Sequence, residues 1–385
     1  MTTDCPACGT GALEPFLDLP ALPVLSTTFH ATAEDALRAP RGDLRLARCR
    51  TCALVWNSAF EPSLVEYTPE YENSQHFSPT FQVYVKELAS HLAEAHSLAD
   101  RHVVEIGCGK GEFLAELCAM SECRGVGFDP TFDGEVDAAQ VPLRIERRYY
   151  DAEVAARLDP ALVMARHVLE HLPDPVGFLK TVRAASGPSA AIYLEVPNAD
   201  FVFDDEGMWD LIYQHVGYFG AVALESVVRR GGYAVRDLRT SFHGQFLSVE
   251  GVPARHPTPT GPDSQAAAAA CERIDSFSRR LRARLEAWSE HLSTPRDGLT
   301  VLWGAGAKGV AFLNLLEPGV SVDRVVDLNP RKSDRYVPGT GHRIEPPSTL
   351  RGADVDSVLI LNPAYEQEIR EELRRLGSDA AVLAV

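Results

Sequence analysis

Three glycines at alternate positions, directly after a short apolar run, constrain the fold of this chain most strongly. The segment 102–117 reads HVVEIGCGKGEFLAEL. The run HVVEI predicts a buried strand, and the pattern after the glycines predicts a helix. Gly107, Gly109 and Gly111 let the main chain turn sharply between the two and let a ligand approach the backbone closely. This unit predicts an α/β protein with a ligand at the carboxyl end of a parallel sheet.

One acidic residue precedes these glycines and another follows the next apolar run. Glu105 stands before the GxGxG spacing, and RGVGFDP places Asp129 18 residues after Gly111. An acid about 20 residues downstream of such a loop binds ribose hydroxyls in dinucleotide folds. A generic loop for another nucleotide is therefore one interpretation, although the spacing is not the GxGxxG of dinucleotide sites.

The GxGxG spacing with its flanking acids resembles the first motif of class I S-adenosylmethionine (SAM) methyltransferases. The resemblance implies a Rossmann-like central sheet, a glycine loop against the amino-acid end of SAM, and an acid after the second strand that accepts the ribose hydroxyls. The segment ALVMARHVLEHLPDPVGFLKTV resembles the HVLEHxxDP motif of the same family. The implied SAM-binding residues are Glu105, Gly107, Gly109, Gly111, Asp129, Pro130 and His167.

Further polar side chains follow the fourth and fifth strands of this predicted sheet. His167, Glu170 and His171 lie in the loop after the fourth strand, and AIYLEVPN places Glu195 and Asn198 at the end of the fifth. Ligands of open α/β sheets lie at the carboxyl ends of the strands, so we expect these residues at one mouth. Glu195 and Asn198 are expected to bind substrate there. His167 and Glu170 could instead only cap or orient the loop.

Differences in composition and residue pattern divide the 385 residues into several parts. At about one domain per 150 residues, the length predicts two to three domains. Short β-branched runs alternate with helical patterns in the central and final parts, as in parallel sheets. The predicted parts are a zinc-binding domain at 1–60, a linking loop and helix at 61–99, a methyltransferase core at 100–252, a linker and long helix at 253–298, and a small Rossmann-like domain at 299–385.

Two CxxC pairs lie in the N-terminal part. They are Cys5 with Cys8, followed by Gly9, and Cys49 with Cys52. Two intervening residues let both thiolates reach one ion at about 2.3 Å, and two such pairs complete a four-cysteine zinc site. Because four thiolates leave no open coordination position, the zinc would be structural. The 40 residues between the pairs exceed the usual zinc-ribbon gap, and the alternative is four unrelated thiols.

The segment 204–224 follows the fifth strand and could cover the site. It reads DDEGMWDLIYQHVGYFGAVAL. A zinc domain, a SAM core and a small C-terminal α/β domain together resemble the C-methyltransferases that act on nucleotide-linked keto-deoxysugars. That resemblance implies that a histidine removes the proton beside the ketone and that the resulting enolate is methylated. The implied catalytic candidates are His215, His171, Tyr213, Gln214 and Tyr71.

Histidine suits such a base because it titrates near neutrality. His215 is the first candidate, His171 the second, and Tyr71 of the EYENSQHFSP loop the third. Gln214 stands where many of the resembled enzymes have Glu, which indicates a weaker base or a substrate that is not a 3-keto or 4-keto sugar. The alternative for His215 is a satisfied structural residue.

The final part holds a second glycine loop. TVLWGAGAKGVAFLNLL contains GxGxxG, and Asp327 ends the next predicted strand. By itself this pattern indicates a dinucleotide site. The resemblance implies instead that the domain holds the nucleotide-sugar, with a helix N-terminus as an anion site for its diphosphate. A purely structural domain is a third interpretation. The substrate-binding candidates are Gly304, Gly306, Lys308 and Lys332, with Arg331 as added charge.

The composition of the chain limits the classes of molecule that it is expected to bind. The 37 basic and 54 acidic residues give a net charge of −17, which argues against a nucleic-acid-binding surface. No run reaches the roughly 18 apolar residues of a membrane helix, and the start MTTDCPACGT lacks the features of a signal peptide. We therefore expect a cytoplasmic monomer or homodimer that binds a small-molecule substrate, SAM and structural Zn²⁺, and neither nucleic acid nor membrane.

These patterns together predict SAM-dependent C-methylation of a nucleotide-linked keto-sugar or a similar carbonyl compound of secondary metabolism. One alternative is methylation of an oxygen, nitrogen or carboxylate in another secondary metabolite. A second is a catalytically silent module that binds SAM or a nucleotide. A third is a nicotinamide oxidoreductase that uses residues 299–330.

Overall fold

A computed structural model gives the fold of the chain. It describes residues 4–10, 12–134, 141–150, 153, 157–204, 207–255 and 261–385, so that 205–206 and 256–260 of the expected covering segment and linker lie outside the described residues. The described strands form three sheets, of four, seven and five strands. None of the described helices combines the length and apolarity needed to cross a membrane.

The first sheet is antiparallel and lies beside the cysteine pairs. It contains β1 (Leu13–Pro23), β2 (Arg41–Cys49) and β3 (Val55–Asn57), with helix α1 (Ala33–Leu37) between the first two strands. Its fourth strand, β9 (Gly217–Tyr218), comes from much later in the chain and pairs with β3. The N-terminal sheet therefore extends beyond the first 60 residues of the sequence and anchors the segment that carries the expected catalytic residues.

The second sheet is the central one. Its strands are β4 (His102–Ile106), β5 (Arg124–Phe128), β6 (Leu143–Glu146), β7 (Leu162–Arg166), β8 (Ala191–Pro197), β10 (Tyr233–Ser241) and β11 (Phe246–Pro253). Their order is β10–β11–β8–β7–β4–β5–β6. The strands from β8 to β6 are parallel, and β11 is antiparallel to both of its neighbours. This Rossmann-like sheet confirms the predicted α/β fold class.

Helices cover the central sheet on both faces. They are α2 (Pro79–His96), α3 (Glu112–Ser121), α4 (Pro175–Ala185) and α6 (Ala221–Arg230). The short α5 (Ala199–Val202) instead packs in the cluster beside the N-terminal sheet. On β4, Val103 packs with α2 and α3, whereas Val104 and Ile106 pack with α4 and α6. The strand is mostly apolar because both of its faces are buried, as is usual in parallel sheets, and Glu105 is its one buried charged residue.

The third sheet forms the C-terminal domain. A long helix, α7 (Ser264–Ser293), leads into it. Its elements are β12 (Leu299–Trp303), α8 (Ala307–Leu315), β13 (Arg324–Val326), β14 (Ile344–Glu345), β15 (Val355–Ile360), α9 (Glu366–Leu376) and β16 (Ala381–Ala384). All five strands are parallel, in the order β14–β13–β12–β15–β16. Short 3₁₀ turns occur at Pro62–Leu64, Leu169–His171, Pro330–Lys332, Pro347–Leu350 and Pro363–Tyr365.

One apolar cluster joins the N-terminal sheet, α7 and the C-terminal domain. Phe203 and Phe277 meet edge to face with ring centroids 5.0 Å apart, and so do Trp209 and Phe312. The indole of Trp209 also donates a hydrogen bond of 2.9 Å to the carbonyl of Val385. Burial of these large rings is the main stabilising contribution of the cluster, and it holds the C-terminal domain against the segment just before His215.

Candidate active site

A large cavity of about 840 Å³ lies where the three parts of the fold meet. Its wall includes the glycine loop after β4, the loops after β5 and β7, and the segment 71–78. The glycine loop after β12 and the residues after β13 and β15 form the opposite wall. The cavity therefore lies at the carboxyl ends of both parallel sheets, where α/β proteins bind ligands.

The glycine loop after β4 closely borders the cavity. Gly107, Gly109 and Gly111 all have positive φ angles, of 70°, 55° and 79°. A Cβ atom on Gly107 would lie 2.3 Å from Val168 Cγ2, and one on Gly111 would lie 2.2 Å from Ile145 Cδ1. A Cβ on Gly109 would meet nothing within 4 Å. Packing thus requires the outer two glycines, whereas the middle one faces open space in which a ligand can approach the main chain.

Asp129 lies beside this loop. One carboxylate oxygen accepts the N–H of Gly109 at 2.7 Å. The other accepts the N–H and the hydroxyl of Thr131 at 2.7 and 2.6 Å. A carboxylate offers about four acceptor positions, so one position stays available for a ribose hydroxyl. Pro130 follows and also lines the cavity.

Glu105 presents an unsatisfied acceptor to the same space. The residue is buried, and its Oε2 has no hydrogen-bond partner among the described residues. Burial raises the pKa of Glu105 to about 7, although Arg166, 3.9 Å away, opposes that shift. A buried carboxylate without a donor is costly, so this atom fits a cationic group of a bound ligand.

His167 lies between two carboxylates at the end of β7. Its Nδ1 lies 3.6 Å from Glu170 and its Nε2 lies 3.3 Å from Glu195. Burial by itself would lower the pKa of His167, but Glu170 and Glu195 outweigh it and raise the pKa to about 9. The imidazolium is therefore a fixed charge in the wall of the cavity.

Glu195 does not reach the cavity, contrary to its expected substrate-binding role. Its side chain is fully buried and accepts hydrogen bonds from Tyr193 at 2.9 Å and from Tyr84. Arg166 lies 3.2 Å away. Burial opposes ionisation of Glu195, but Arg166 and His167 outweigh it and hold its pKa at about 2. The carboxylate holds His167 and Arg166 from behind, because its oxygens are already fully used.

Asn198 and Tyr213 also lie outside the cavity wall. The Asn198 side chain caps α5 by accepting the N–H of Asp200, and it donates to the Gly244 carbonyl at 2.8 Å. The Tyr213 hydroxyl accepts the N–H of Glu61 at 3.0 Å. The Tyr213 ring packs against Phe60 at 5.7 Å. Both side chains hold the backbone around the site, and the structure does not bring them to a ligand.

His171 and His215 face each other in the cavity wall, with ring centroids 5.0 Å apart. Glu170 is the third member of this cluster, since one ligand atom from each of the three lies within 4.8 Å of the others. Burial lowers the pKa of both histidines to about 4, so both rings are neutral at pH 7. His215 Nδ1 and Glu170 Oε2 are buried and have no partner among the described residues.

The tautomer of His171 follows from its contacts. Its Nδ1 lies 3.0 Å from the carbonyl oxygen of Gln214 and 3.1 Å from the hydroxyl of Tyr67. Because a carbonyl only accepts, Nδ1 carries the proton, and Nε2 therefore carries the lone pair.

Tyr67 is a site residue that the sequence did not reveal. The only available signal was its position in the same loop as Tyr71, whose ring it meets at 5.2 Å.

The side chain of Gln214 connects the N-terminal part to the site. Its Oε1 accepts the N–H of Ser26 at 3.1 Å, and its Nε2 donates to the Tyr71 hydroxyl at 2.7 Å. Burial raises the pKa of Tyr71 to about 12, so the phenol stays protonated. Both residues line the cavity, as do His171 and His215.

The C-terminal glycine loop forms the opposite wall. A Cβ atom on Gly304 or on Gly306 would meet nothing within 4 Å, as is the case for Gly109. Lys308 Nζ donates to Gln245 Oε1 at 2.8 Å, across the boundary with the central sheet. Gln245, in the turn between β10 and β11, is a second residue that the sequence did not reveal, since nothing in SFHGQF marks it.

The ammonium group of Lys332 is buried and already has hydrogen-bond partners within the domain. Its ammonium lies 3.0 Å from the Asp327 carboxylate and 3.3 Å from the Ala305 carbonyl. Asp327 also accepts the N–H groups of Ala305 and Asn329, both at 2.8 Å. The acid that would hold a ribose in a dinucleotide site is thus neutralised within the domain.

The four cysteines of the two CxxC pairs come together. Cys5 and Cys52 lie 3.6 Å apart and Cys8 and Cys49 lie 3.7 Å apart, measured between sulfur atoms. All four sulfurs lie within 4.8 Å of one another. Four thiolates placed tetrahedrally at ~2.3 Å from one zinc stand about 3.8 Å apart. The donor set and its spacing therefore fit a four-thiolate zinc site.

Two successive ranges of this chain match known family models. Residues 80–238 match the family model of a methyltransferase domain, and residues 263–384 match that of a C-methyltransferase C-terminal domain. The first match agrees with the Rossmann-like sheet and its glycine loop and identifies residues 80–238 as a methyltransferase domain. The second match covers α7 and nearly all of the third sheet with its helices.

Similarity to individual proteins is partial. Over 122 residues the chain is 29% identical to a ubiquinone biosynthesis O-methyltransferase of Methylococcus capsulatus, across 30% of this chain and 51% of that protein. Over 129 residues it is 27% identical to the enzyme of the same name from Aliivibrio fischeri, across 32% of this chain and 55% of that protein. The chain thus spans about half the length of these curated relatives.

Solved structures are similar over less than half of the chain. One is the 1,6-didemethyltoxoflavin-N1-methyltransferase of Burkholderia thailandensis, at 16% identity and a TM-score of 0.35, across 46% of this chain and 81% of that one. Another is the magnesium protoporphyrin IX methyltransferase of Synechocystis PCC 6803, with the same identity and TM-score, across 46% of this chain and 84% of that one.

Proposed function

We propose that the protein methylates a carbon beside the carbonyl group of a nucleotide-linked keto-sugar. One observation carries the proposal: a single cavity joins the SAM-type glycine loop, a pair of neutral histidines and the glycine loop of the C-terminal domain. That combination suits a substrate with an acidic C–H bond at one end and an anionic group at the other. The match to a C-methyltransferase C-terminal domain supports carbon as the methylated atom.

The first wall of the cavity suits the methyl donor. SAM supplies an electrophilic methyl group when bound. Gly109 leaves room for it against the main chain, and Asp129 keeps one acceptor position for a ribose hydroxyl. Glu105 Oε2 is a buried acceptor without a donor, and we assign it to the ammonium of the donor's amino-acid end. These groups orient the donor, and orientation supplies a large part of the rate in such transfers.

His215 is the proposed base. Its neutral ring offers a lone pair at pH 7 because burial lowers its pKa to about 4. Glu170 lies in the same cluster and would stabilise the imidazolium that forms when the proton is taken from carbon. His171 carries its lone pair on Nε2, because its Nδ1 donates to the Gln214 carbonyl, and it is the second candidate. The partly apolar lining of the site would limit the access of water to the enolate.

The opposite wall suits a diphosphate. Gly304 and Gly306 leave the backbone open before α8, and N–H groups at a helix N-terminus bind anions. Lys308 adds a positive charge that a neutral amide, not a carboxylate, contacts. Lys332 is neutralised by Asp327, so its role in this proposal is to hold the loop rather than to bind phosphate.

We also propose that Cys5, Cys8, Cys49 and Cys52 hold one structural Zn²⁺. The sulfur spacing supports it, and four thiolates leave no position for substrate. The ion would fix the ends of β2 and β3, to which β9 and the His215 segment are paired. Its contribution to the chemistry is therefore indirect.

Deuterium exchange tests the proposed function. The protein, without SAM, is incubated in D₂O with a dTDP-linked 4-keto-6-deoxyhexose, and NMR follows the protons beside the ketone. Washout is expected, because the base acts before the methyl transfer. Addition of [methyl-¹³C]SAM should then place the label on that carbon. Label on an oxygen or nitrogen, or SAM binding without any washout, would favour heteroatom methylation of another substrate.

A further inference from the structure

We propose that Arg331 is a positioning residue that holds the segment 72–78 against the methyl-donor site. This segment, here called the strap, belongs to the loop EYENSQHFSP, and all of its residues line the cavity. The inference needs SAM as the methyl donor but not a keto-sugar as the substrate. It can therefore be tested separately from the proposed methylation of a sugar carbon.

The strap contacts the donor side of the cavity at Glu112. This residue directly follows Gly111 and is the first residue of α3. Its Oε2 accepts a hydrogen bond of 2.7 Å from the Ser74 hydroxyl and lies 3.9 Å from His76 Nδ1. The strap therefore forms part of the wall around a donor that the glycine loop after β4 binds.

The C-terminal domain contacts the strap at its start, its middle and its end. Hydrogen bonds of 3.0, 2.8 and 2.8 Å join Glu72 to Asn329, Gln75 to Tyr365, and Ser78 to Glu368. These contacts account for polar residues of the EYENSQHFSP loop that the proposed chemistry does not use. The position of the strap thus depends on a domain that does not carry the donor loop.

Arg331 lies between the strap and α3. Its Nη1 is 3.5 Å from Glu72 Oε2 and 3.8 Å from Glu112 Oε1, and its guanidinium lies 5.5 Å from the centroid of the Phe77 ring. Both carboxylate side chains line the cavity, whereas Arg331 lies outside the cavity wall. The sequence suggested Arg331 as added charge for a diphosphate, but the structure directs its charge to the strap and α3.

The guanidinium keeps two like charges together. Glu72 lies on the strap and Glu112 on α3, and both approach the same nitrogen of Arg331. Their side chains are only 11% and 28% exposed, so solvent screens their mutual repulsion incompletely. Without the guanidinium, this repulsion would move the strap away from the glycine loop and weaken the enclosure of the donor.

Arg331→Met tests this role. We expect S-adenosylhomocysteine, which avoids turnover, to bind roughly 5-fold more weakly in titration calorimetry, the low end of typical coupling between sites because Arg331 is partly exposed. Arg343→Met is the matched control. Its guanidinium pairs with Asp334 at 2.6 Å in the same domain, so the affinity should keep its wild-type value.

A second substitution separates charge repulsion from a general loosening of the domain. Glu72→Gln keeps a side-chain oxygen for Asn329 but removes the charge that faces Glu112. Arg331→Met with Glu72→Gln should therefore recover most of the lost affinity, whereas two merely structural defects would add. Affinity in the double variant no better than in Arg331→Met would overturn the inference.

Hydrogen exchange in the ligand-free protein reports on the strap directly. The N–H groups of Ser74, His76 and Ser78 all donate hydrogen bonds within the strap, so their exchange is slow only while the strap keeps this conformation. They should exchange faster in Arg331→Met and recover in the double variant, while the amides of β4 and β12 keep their wild-type rates. Unchanged exchange of the strap in Arg331→Met would refute the inference even if the affinity fell, because the donor would then be lost by another route.

Discussion

Lys308 at the start of α8 donates a hydrogen bond of 2.8 Å to Gln245 in the turn between β10 and β11. Gln245 also exchanges hydrogen bonds of 2.9 Å with the amide of Asn362. Burial lowers the pKa of Lys308, and within the part of the chain that the structure describes no carboxylate lies within 4.0 Å of its ammonium. A partly buried cation whose hydrogen-bond partner is a neutral amide is stabilised further when an anion binds beside it.

Lys308→Met should weaken binding of dTDP about 10- to 100-fold, the range of a lost charged hydrogen bond of ~1.5–3 kcal/mol. The affinity for SAM should not change, because the glycine loop after β4 lies on the other wall. Titration calorimetry with each ligand separately measures both. If the affinity for dTDP survived the loss of this charge, the diphosphate would have to bind elsewhere.

Lys332→Met should act on stability. The lysine is buried beside Asp327, and removing one partner of a buried ion pair typically costs about 3–5 kcal/mol. Urea unfolding should show that loss in the C-terminal domain. Lys308→Met is the control, because its ammonium leaves no carboxylate behind. Equal stability of the two variants would contradict the buried pairing.

Asp129→Asn should raise the dissociation constant for SAM roughly 10- to 100-fold, because an amide offers one acceptor oxygen where the carboxylate offers two. Gly109 and Thr131 use both oxygens, so the variant must lose one of these contacts as well as the ribose hydroxyl. Calorimetry with S-adenosylhomocysteine avoids turnover. Unaltered affinity would show that Asp129 serves only the loop.

How much could be predicted from the sequence depends on how far apart the partners lie along it. Gly109 and Asp129 are 20 residues apart within one strand–helix–strand unit, and their pairing follows from the local motif. Tyr67 contacts His171 across 104 residues, and Ser26 orients Gln214 across 188. These contacts require the N-terminal sheet to pack on the central one, which no local pattern specifies. The sequence therefore indicates that Gln214 is unusual, but it does not indicate which groups the side chain contacts.

Glu195 illustrates a related limit of prediction from sequence. The end of a fifth strand points to the mouth of the sheet, but the pattern does not tell which face a side chain takes. In the structure, two tyrosines and Arg166 surround Glu195 on the buried side. Charged residues at strand ends are thus predicted to lie near a site more reliably than they are predicted to touch its ligand.

The rate of deuterium washout should depend on pH through the histidine pair. Burial lowers the pKa of His171 and His215 to about 4, so the base stays unprotonated as pH falls from 8 to about 5 and is lost only below about 4. A profile that fell near pH 6.5, the ordinary value for histidine, would contradict the burial of the pair. Unfolded histidines bind protons from about pH 6.5 downward, so the contribution of the pair to stability falls between about pH 6.5 and 4. Circular dichroism at each pH must therefore confirm the folded state.

Loss of the cysteine cluster should affect stability first and catalysis second. We expect one zinc per chain by elemental analysis, and Cys5→Ser should abolish it, because three thiolates and a hydroxyl bind Zn²⁺ far more weakly. The melting temperature should fall by more than about 5 °C, since metal binding stabilises only the folded chain. Cys123→Ser is the matched control: it removes a buried thiol whose sulfur lies 3.2 Å from that of Cys118, away from the cluster, and it should keep the zinc.

The effect on catalysis is measured as the washout rate of folded Cys5→Ser at low temperature. This rate reports on β9, which pairs with β3 and directly follows His215 in the chain. A zinc-free protein of unchanged stability would show that the four thiols support the fold without a metal.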